Sequence, residues 1–451
     1  MVFNVSAIPM HLKRTRALVV LVLCLITWAN AAEKISDLRP TIVLVSIDGF
    51  RPDYLSSRTP NLDALENRGT HAKWLIASFP TKTFPNHYTI VTGLYPAHHG
   101  IIGNTFWDPA FQAKFSMSNR EAVADARWWG GEPIWVTAEK QGVRTAPVFW
   151  PGSEAAIEGV RPSYYDAFDD RRPDDVRVEK LLSLLDLPAA ERPRFLTLYF
   201  SDVDHAGHDF GPGSKEVKAA VEKVDGEIGK LVSGLRERGV LDQVNLIVVS
   251  DHGMAATSRK RTIVLDNYVD LKTVDVTDWG PVVSIRAKDG NNATVIEKLQ
   301  HVKHAQAYLA ADVPARWHYS DSPRIQPILL AAQDGWLVES RDYLDKHPEF
   351  QHGGNHGYDN AAKDMRATFI AAGPAFASHT TMAPFANVNI YSLLAYLLNL
   401  RPAETDGSIN VFKDVLVKRT EAPPRMEKAP WRKERNQDAR LREQPPIPVA
   451  H

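Results

Sequence analysis

Five short runs dense in Val, Ile and Leu constrain this chain most: "TIVLVSID" at 41–48, "RTAPVFW" at 144–150, "FLTLYFSDVD" at 195–204, "NLIVVSD" at 245–251 and "ATFIAAG" at 367–373. Their near-continuous apolar character predicts strands covered on both faces. Segments with helical periodicity lie between them, at 60–69, 132–141, 174–185 and 214–238. Strands that alternate with helices build a mostly parallel sheet with helices packed on both faces, so the fold class is α/β. Residues from about 255 to 345 break the rhythm and predict a small α+β insertion in the main domain. At 451 residues, 44% hydrophobic and 24% charged, the chain can bury the core such a domain needs.

The two ends read differently. "HLKRTRALVVLVLCLITWANAAEK" joins a basic segment (Lys13, Arg14, Arg16) to an apolar stretch from Ala17 to Trp28 and an Ala29-Asn30-Ala31 cleavage pattern, which predicts a secretory signal peptide over residues 1–31. The stretch is shorter than the roughly 20 residues of a spanning helix, so the mature chain is expected to have no membrane span and a periplasmic or secreted location. Cys24, the single cysteine, lies inside this leader, which leaves the mature chain without a disulfide or a thiolate metal site. Without Lys13, Arg14 and Arg16 the formal charge moves from −1 to −4, and neither value marks a nucleic-acid-binding surface. The domain that follows is expected to span 32–418. Residues 419–451, rich in Pro, Arg and Glu, predict a disordered tail.

Three of the apolar runs end in aspartate: Asp48, the Asp202/Asp204 pair, and Asp251 followed by His252. Ligands of open parallel sheets bind beyond the carboxyl ends of the strands, where these side chains would converge. A single aspartate at a strand exit more often caps a helix. Three such exits, together with His205, His208, His252, His352 and His356, supply the oxygen and nitrogen donors that zinc takes. Asp204 and His208 share a helical i,i+4 spacing, and so do His205 and Asp209; spacing alone does not choose between them.

Thr81 and Thr83, in "SFPTKTFPNHYTIVTGLYPAHHGIIGNTFWDP" at 78–109, lie just ahead of a predicted helix. A hydroxyl there serves as a cap, or as an attacking group if a dication lowers its pKa and the helix N-terminus receives a phosphate.

"SIDGFRPDYL", "FPTKTFPNHYTIVTGLYPAHHGIIGN", "WPGSEA", "DVDHAGH", "SDHGM" and "HGYDN" occur in one order between about 40 and 400. Together they resemble the nucleotide pyrophosphatase/phosphodiesterase family of the alkaline phosphatase superfamily. The resemblance implies an alkaline phosphatase-like fold and two zinc ions, one on Asp204, His208 and His356, the other on Asp48, Asp251 and His252. It makes Thr83 the nucleophile beside the second ion and gives Asn104 a non-bridging phosphate oxygen to bind. It also sets Phe84 and Phe168 on the two faces of a nucleobase, with Phe168 where a tyrosine is usual and Glu154 where an aspartate is common. A small-molecule nucleotide phosphodiester would then be cleaved through a threonyl-phosphate to release a nucleoside 5′-monophosphate.

Other chemistries fit parts of this pattern. A sulfatase would need a Cys or Ser in a C/S-x-P-x-R context, which "TKTFPN" lacks. A phosphomonoesterase shares the two-metal core, and aromatic walls also suit a lysophospholipid or choline-phosphate diester. A catalytically silent metal-binding protein would have no use for an activated hydroxyl beside a dication.

Overall fold

A computed structural model describes residues 34–417. The leader read at 1–31, with Cys24, and the tail read at 419–451 lie outside the described residues.

Seven strands form the central sheet, numbered here in chain order: β1 (Thr41–Ile47), β2 (Thr70–Ala72), β3 (Thr145–Val148), β4 (Phe195–Phe200), β5 (Val244–Val249), β6 (Phe369–Ala372) and β7 (Thr380–Met382). Their order across the sheet is β7-β2-β6-β5-β1-β4-β3. Strands β3, β4, β1 and β5 run parallel, and β7 is parallel to β2; only β6 is antiparallel to its neighbours. The sheet is therefore mostly parallel, as the alternation of strands and helices predicts. The five apolar runs became five strands. The other two, β2 and β7, are three residues each, too short to leave a periodic signal in the sequence.

Why the strands lack polar alternation is plain from their side chains. Along β1, Ile42 and Leu44 enter one apolar cluster while Val43, Val45 and Ile47 enter another on the opposite face. Successive side chains of a strand point to opposite faces, so a strand with two cores must be apolar at every position. Helices α1 (Pro60–Arg68), α4 (Asp174–Leu185) and α6 (Lys215–Glu237) cover one face. The other is covered by α2 (Thr83–Thr92), α3 (Ile134–Lys140) and α7 (Ile390–Leu398).

Within the stretch from about 255 to 345, strands Val274–Asp278, Val282–Ala287, Ile328–Ala332 and Ala305–Leu309 form a four-stranded antiparallel sheet in that spatial order. The helix Asn292–Leu299 packs on it, and Ile285, Leu299 and Leu330 belong to its separate apolar cluster.

Register places the site. Ser46 of β1 pairs with Tyr199 of β4 and with Val249 of β5, so these strands end at the same height. Asp48 therefore leaves β1 level with Ser201 and Asp251, and its N–H donates to the Phe200 carbonyl at 2.9 Å.

Candidate active site

Three segments enter one edge of the sheet just past β1, β4 and β5. The chain turns at Gly49, where φ is +65° and an added Cβ would stand 3.2 Å from Asp204 Oδ1; a left-handed turn against a neighbouring side chain suits glycine. That turn points Asp48 into the edge. After β4 the chain enters helix α5 (Asp202–Phe210), so the end of "FLTLYFSDVD" is a first helical turn rather than strand. This puts Asp204 and His208 one turn apart on one helical face, with Asp204 Oδ2 3.5 Å from His208 Nε2. His205 faces away, its side chain 57% exposed and 3.8 Å from Asp170. Tertiary packing thus answers the choice that spacing left open. After β5 come Asp251 and His252, both fully buried.

Asp48, Asp251 and His252 offer donor atoms within 4.8 Å of one another, and so do Asp204, His252 and His356. His252 Nε2 lies 2.9 Å from Asp251 Oδ2 and 3.3 Å from Asp48 Oδ1. His356 Nε2 lies 3.6 Å from Asp204 Oδ1 and 3.1 Å from His208 Nε2. The resemblance assigned His252 to one ion only; here it borders both groups, its ring stacked on that of His356 at 3.5 Å. His352, by contrast, is exposed.

The protonation of the three imidazoles is set by the backbone. His208 Nδ1 meets the Gly354 carbonyl at 3.0 Å, His252 Nδ1 the Gly253 carbonyl at 2.9 Å, and His356 Nδ1 the Thr81 carbonyl at 2.9 Å. A carbonyl only accepts, so each Nδ1 carries the hydrogen and each Nε2 turns a lone pair inward. The carboxylates add three buried oxygens without a hydrogen-bond donor: Asp48 Oδ1, Asp204 Oδ1 and Asp251 Oδ2. Convergent lone pairs fit a pair of cations, and the oxygen-nitrogen donor set fits zinc.

Electrostatics agree. Burial pushes the Asp48 carboxyl well above the usual carboxylate range, and Asp251 and Asp204 push it further; the Tyr199 hydroxyl, donating to Asp48 Oδ2 at 2.6 Å, works the other way. Burial would also raise Asp251, but His252 and His87 hold it well below that range. His252 is raised because Asp251 outweighs its burial. Burial, with His252 and His208 nearby, drives His356 well below the ordinary imidazole value, toward the neutral form that ligates metals. Three carboxylates buried this close require positive charge among them.

Thr83 opens helix α2, with its Oγ1 3.3 Å from His252 Nε2. It is no cap: Lys82 holds the cap position and makes no capping hydrogen bond through its side chain. Thr81 has a structural task, donating to the Tyr358 carbonyl at 3.0 Å and accepting the Gly357 N–H at 3.0 Å. The Phe84 N–H donates to Asn104 Oδ1 at 2.9 Å, so what Asn104 has left to offer a ligand is its two N–H donors. Phe84 is buried against Phe115 and Trp129, at centroid distances of 6.1 and 6.0 Å. Phe168 is 36% exposed and sits 5.9 Å from the Tyr199 ring.

Several participants escape a sequence reading. Tyr199, beside Asp48, lies inside a β-strand and carries no motif. His87 is fully buried, with Nδ1 2.9 Å from the Thr83 carbonyl and 3.3 Å from Asp251 Oδ2, while its Nε2 accepts from Ser46 Oγ at 2.8 Å. Its position four residues after Thr83 on one helix was the available signal. Lys82, next to Thr83, forms a mostly buried ion pair with Asp278 of the four-stranded sheet.

An alkaline phosphatase-like α/β sheet carrying an Asp/His cluster at its carboxyl edge defines a metal-dependent hydrolase. The type I phosphodiesterase / nucleotide pyrophosphatase family matches residues 42–359, and the chain belongs to it. It is 42% identical over 383 residues to an uncharacterised pyrophosphatase/phosphodiesterase of Schizosaccharomyces pombe, covering 82% of this chain and 79% of the other. It is 41% identical to ectonucleotide pyrophosphatase/phosphodiesterase family member 3 of Rattus norvegicus (82% of this chain, 43% of the other). Identity to a venom phosphodiesterase of Naja atra is also 41% (81% and 45%). The chain thus spans less than half the length of the last two. Human ectonucleotide pyrophosphatase/phosphodiesterase 5 superposes with a TM-score of 0.80 at 35% identity, over 84% of this chain and 100% of that one. An inactive threonine-to-alanine variant of the murine protein, in complex with AMP, gives 0.79 at 34% identity, again over 84% and 100%.

Proposed function

We propose that this chain is an exported two-zinc hydrolase that cleaves nucleotide phosphodiester and pyrophosphate bonds, releasing nucleoside 5′-monophosphates through a threonyl-phosphate on Thr83. The observation that carries this is Thr83 Oγ1 at 3.3 Å from His252 Nε2, beside three buried carboxylate oxygens that lack any donor. Asp204, His208 and His356 would hold one ion and Asp48, Asp251 and His252 the other; zinc supplies charge neutralisation at phosphorus and lowers the pKa of a nearby hydroxyl.

The chain's own groups do the rest. Thr83 stands at the N-terminus of α2, where the helix dipole favours an anion. Asn104 donates to a non-bridging oxygen while its own oxygen anchors to Phe84. Thr83 Oγ1 forms the bond to phosphorus as the alcohol or pyrophosphate leaves, and water then cleaves the threonyl ester. Phe84 and Phe168 hold the base by stacking, worth roughly 1–3 kcal/mol per base. The AMP complex of the murine relative, in which a threonine was replaced, supports both the product and the nucleophile.

The test assays purified protein on a nucleoside triphosphate, on thymidine 5′-(p-nitrophenyl phosphate) and on p-nitrophenyl phosphate. Diester turnover is expected to exceed monoester turnover, and monophosphate to appear with pyrophosphate. Faster monoester turnover would overturn the proposal.

A further inference from the structure

Glu154 and Arg120 lie beside Phe168, one of the two aromatic residues assigned above to the base. Phe168 is linked to the cluster through Tyr199, whose hydroxyl meets Asp48, and Phe84 directly follows Thr83. Glu154 Oε1 accepts the Phe168 N–H at 3.1 Å and the Arg120 Nη2 of an ion pair. The Arg120 guanidinium stands 6.0 Å from the centre of the Phe168 ring. Its backbone belongs to the opposite wall: Arg120 opens the short helix Arg120–Ala124 after the strand that carries Phe115, which packs on Phe84. Asn119 Oδ1 fixes that helix by accepting the N–H groups of Glu121 and Ala122 at 3.1 and 3.2 Å. Arg120 thus reaches from the segment that packs on Phe84 to Phe168, and a base stacked on Phe168 would come within reach of the guanidinium.

Glu154 is 12% exposed and its Oε1 already serves two donors, so the carboxylate meets the slot through Arg120. The guanidinium carries five N–H groups in a planar fork and accepts nothing. Only Nη2 is engaged, which leaves donors for a ligand. Guanine offers O6 and N7 as paired acceptors, and uracil and thymine offer O4; adenine and cytosine place an amino donor there instead.

We propose that Arg120, held by Glu154 at the end of the slot between Phe84 and Phe168, determines base specificity by reading the base edge and favours keto bases over adenine and cytosine. This rests on the nucleotide-hydrolysing function proposed above and refines its substrate class.

The experiment measures kcat/KM for GTP, UTP, ATP and CTP on the wild type, Arg120→Ala and Arg120→Lys, with bis(p-nitrophenyl) phosphate as a diester lacking a base. Because each preference is a ratio taken on one protein sample, a partly unfolded variant does not distort it. In wild type, GTP and UTP are expected to exceed ATP and CTP by about ten-fold, chiefly through KM. Arg120→Ala should bring the ratios to about one, and Arg120→Lys, which keeps charge without the fork, should leave only a small preference. Calorimetry on Thr83→Ala protein should show the same order, GMP binding more tightly than AMP. Ratios near one in wild type, or ratios that Arg120→Ala leaves intact, would overturn the inference while base-free diester turnover kept the functional proposal standing. Failure to turn over any diester or triphosphate would overturn both.

Discussion

Thr83 and Tyr199 carry the sharpest expectations at the scale of single residues. Replacing Thr83 by Ala removes the oxygen proposed to attack the substrate's phosphorus, so hydrolysis should fall by about 10³-fold or more. Bound zinc, measured by elemental analysis, should remain near its wild-type content, because six other side chains are proposed to hold it. Loss of the metal together with the activity would mean Thr83 acts structurally. Tyr199→Phe deletes the donor to Asp48 Oδ2 and nothing else in its contacts with the cluster. Partners that orient a ligand are worth about 10- to 100-fold in affinity or turnover, and zinc titration of the apo-protein reads that change. These two residues differ in legibility. Thr83 sat in a quoted motif ahead of a helix, whereas Tyr199 became visible only when β4 was laid beside β1 and its hydroxyl met Asp48 across the strands.

At the scale of elements, the site is built from strand exits, one helix N-terminus and one ion pair from outside the central sheet. The strand exits were readable because a parallel strand buried on both faces is apolar until it ends, and a charged residue there stands out. The short helix Arg120–Ala124 and the strands β2 and β7 were not readable, since three to five residues carry no period. Lys82 joins the nucleophile's segment to Asp278 of the four-stranded sheet, with both side chains mostly removed from water. Breaking such a pair leaves a buried charge without its partner. Asp278→Asn is therefore expected to cost about 3 kcal/mol of unfolding free energy in urea titrations. A change below about 0.5 kcal/mol would show the pair to be solvated.

Considered as a whole molecule, the fold gathers acidic groups that depend on cations and on pH. Stripping the metal with a chelator should abolish turnover and lower the Tm by about 5–10 °C, with zinc restoring both, because an ion that binds only the folded chain stabilises it by mass action. Glu339, beside Asp278 and Lys82, is pushed up to about 7 from 4.5, first by burial and then by Asp278, with Lys82 opposing. A carboxyl raised on folding binds its proton more tightly in the native state. Its stabilising contribution is complete below about pH 4.5 and is lost as the pH rises through about 7. Wild type should thus lose stability relative to Glu339→Gln across that window, by on the order of 2 kcal/mol, and parallel pH profiles would contradict this. By itself the sequence determined the α/β class, the strands of the central sheet from β1 to β6 other than β2, and the Asp and His inventory, because burial on two faces and strand ends are local patterns of residue type. Only the tertiary structure decided that Asp204 and His208 face the cluster while His205 does not, that His252 borders both metal groups, and that Lys82 reaches Asp278. Those outcomes depend on strand register, helix rotation and which backbone carbonyl meets each imidazole, and such distances are set by packing between segments far apart in the chain.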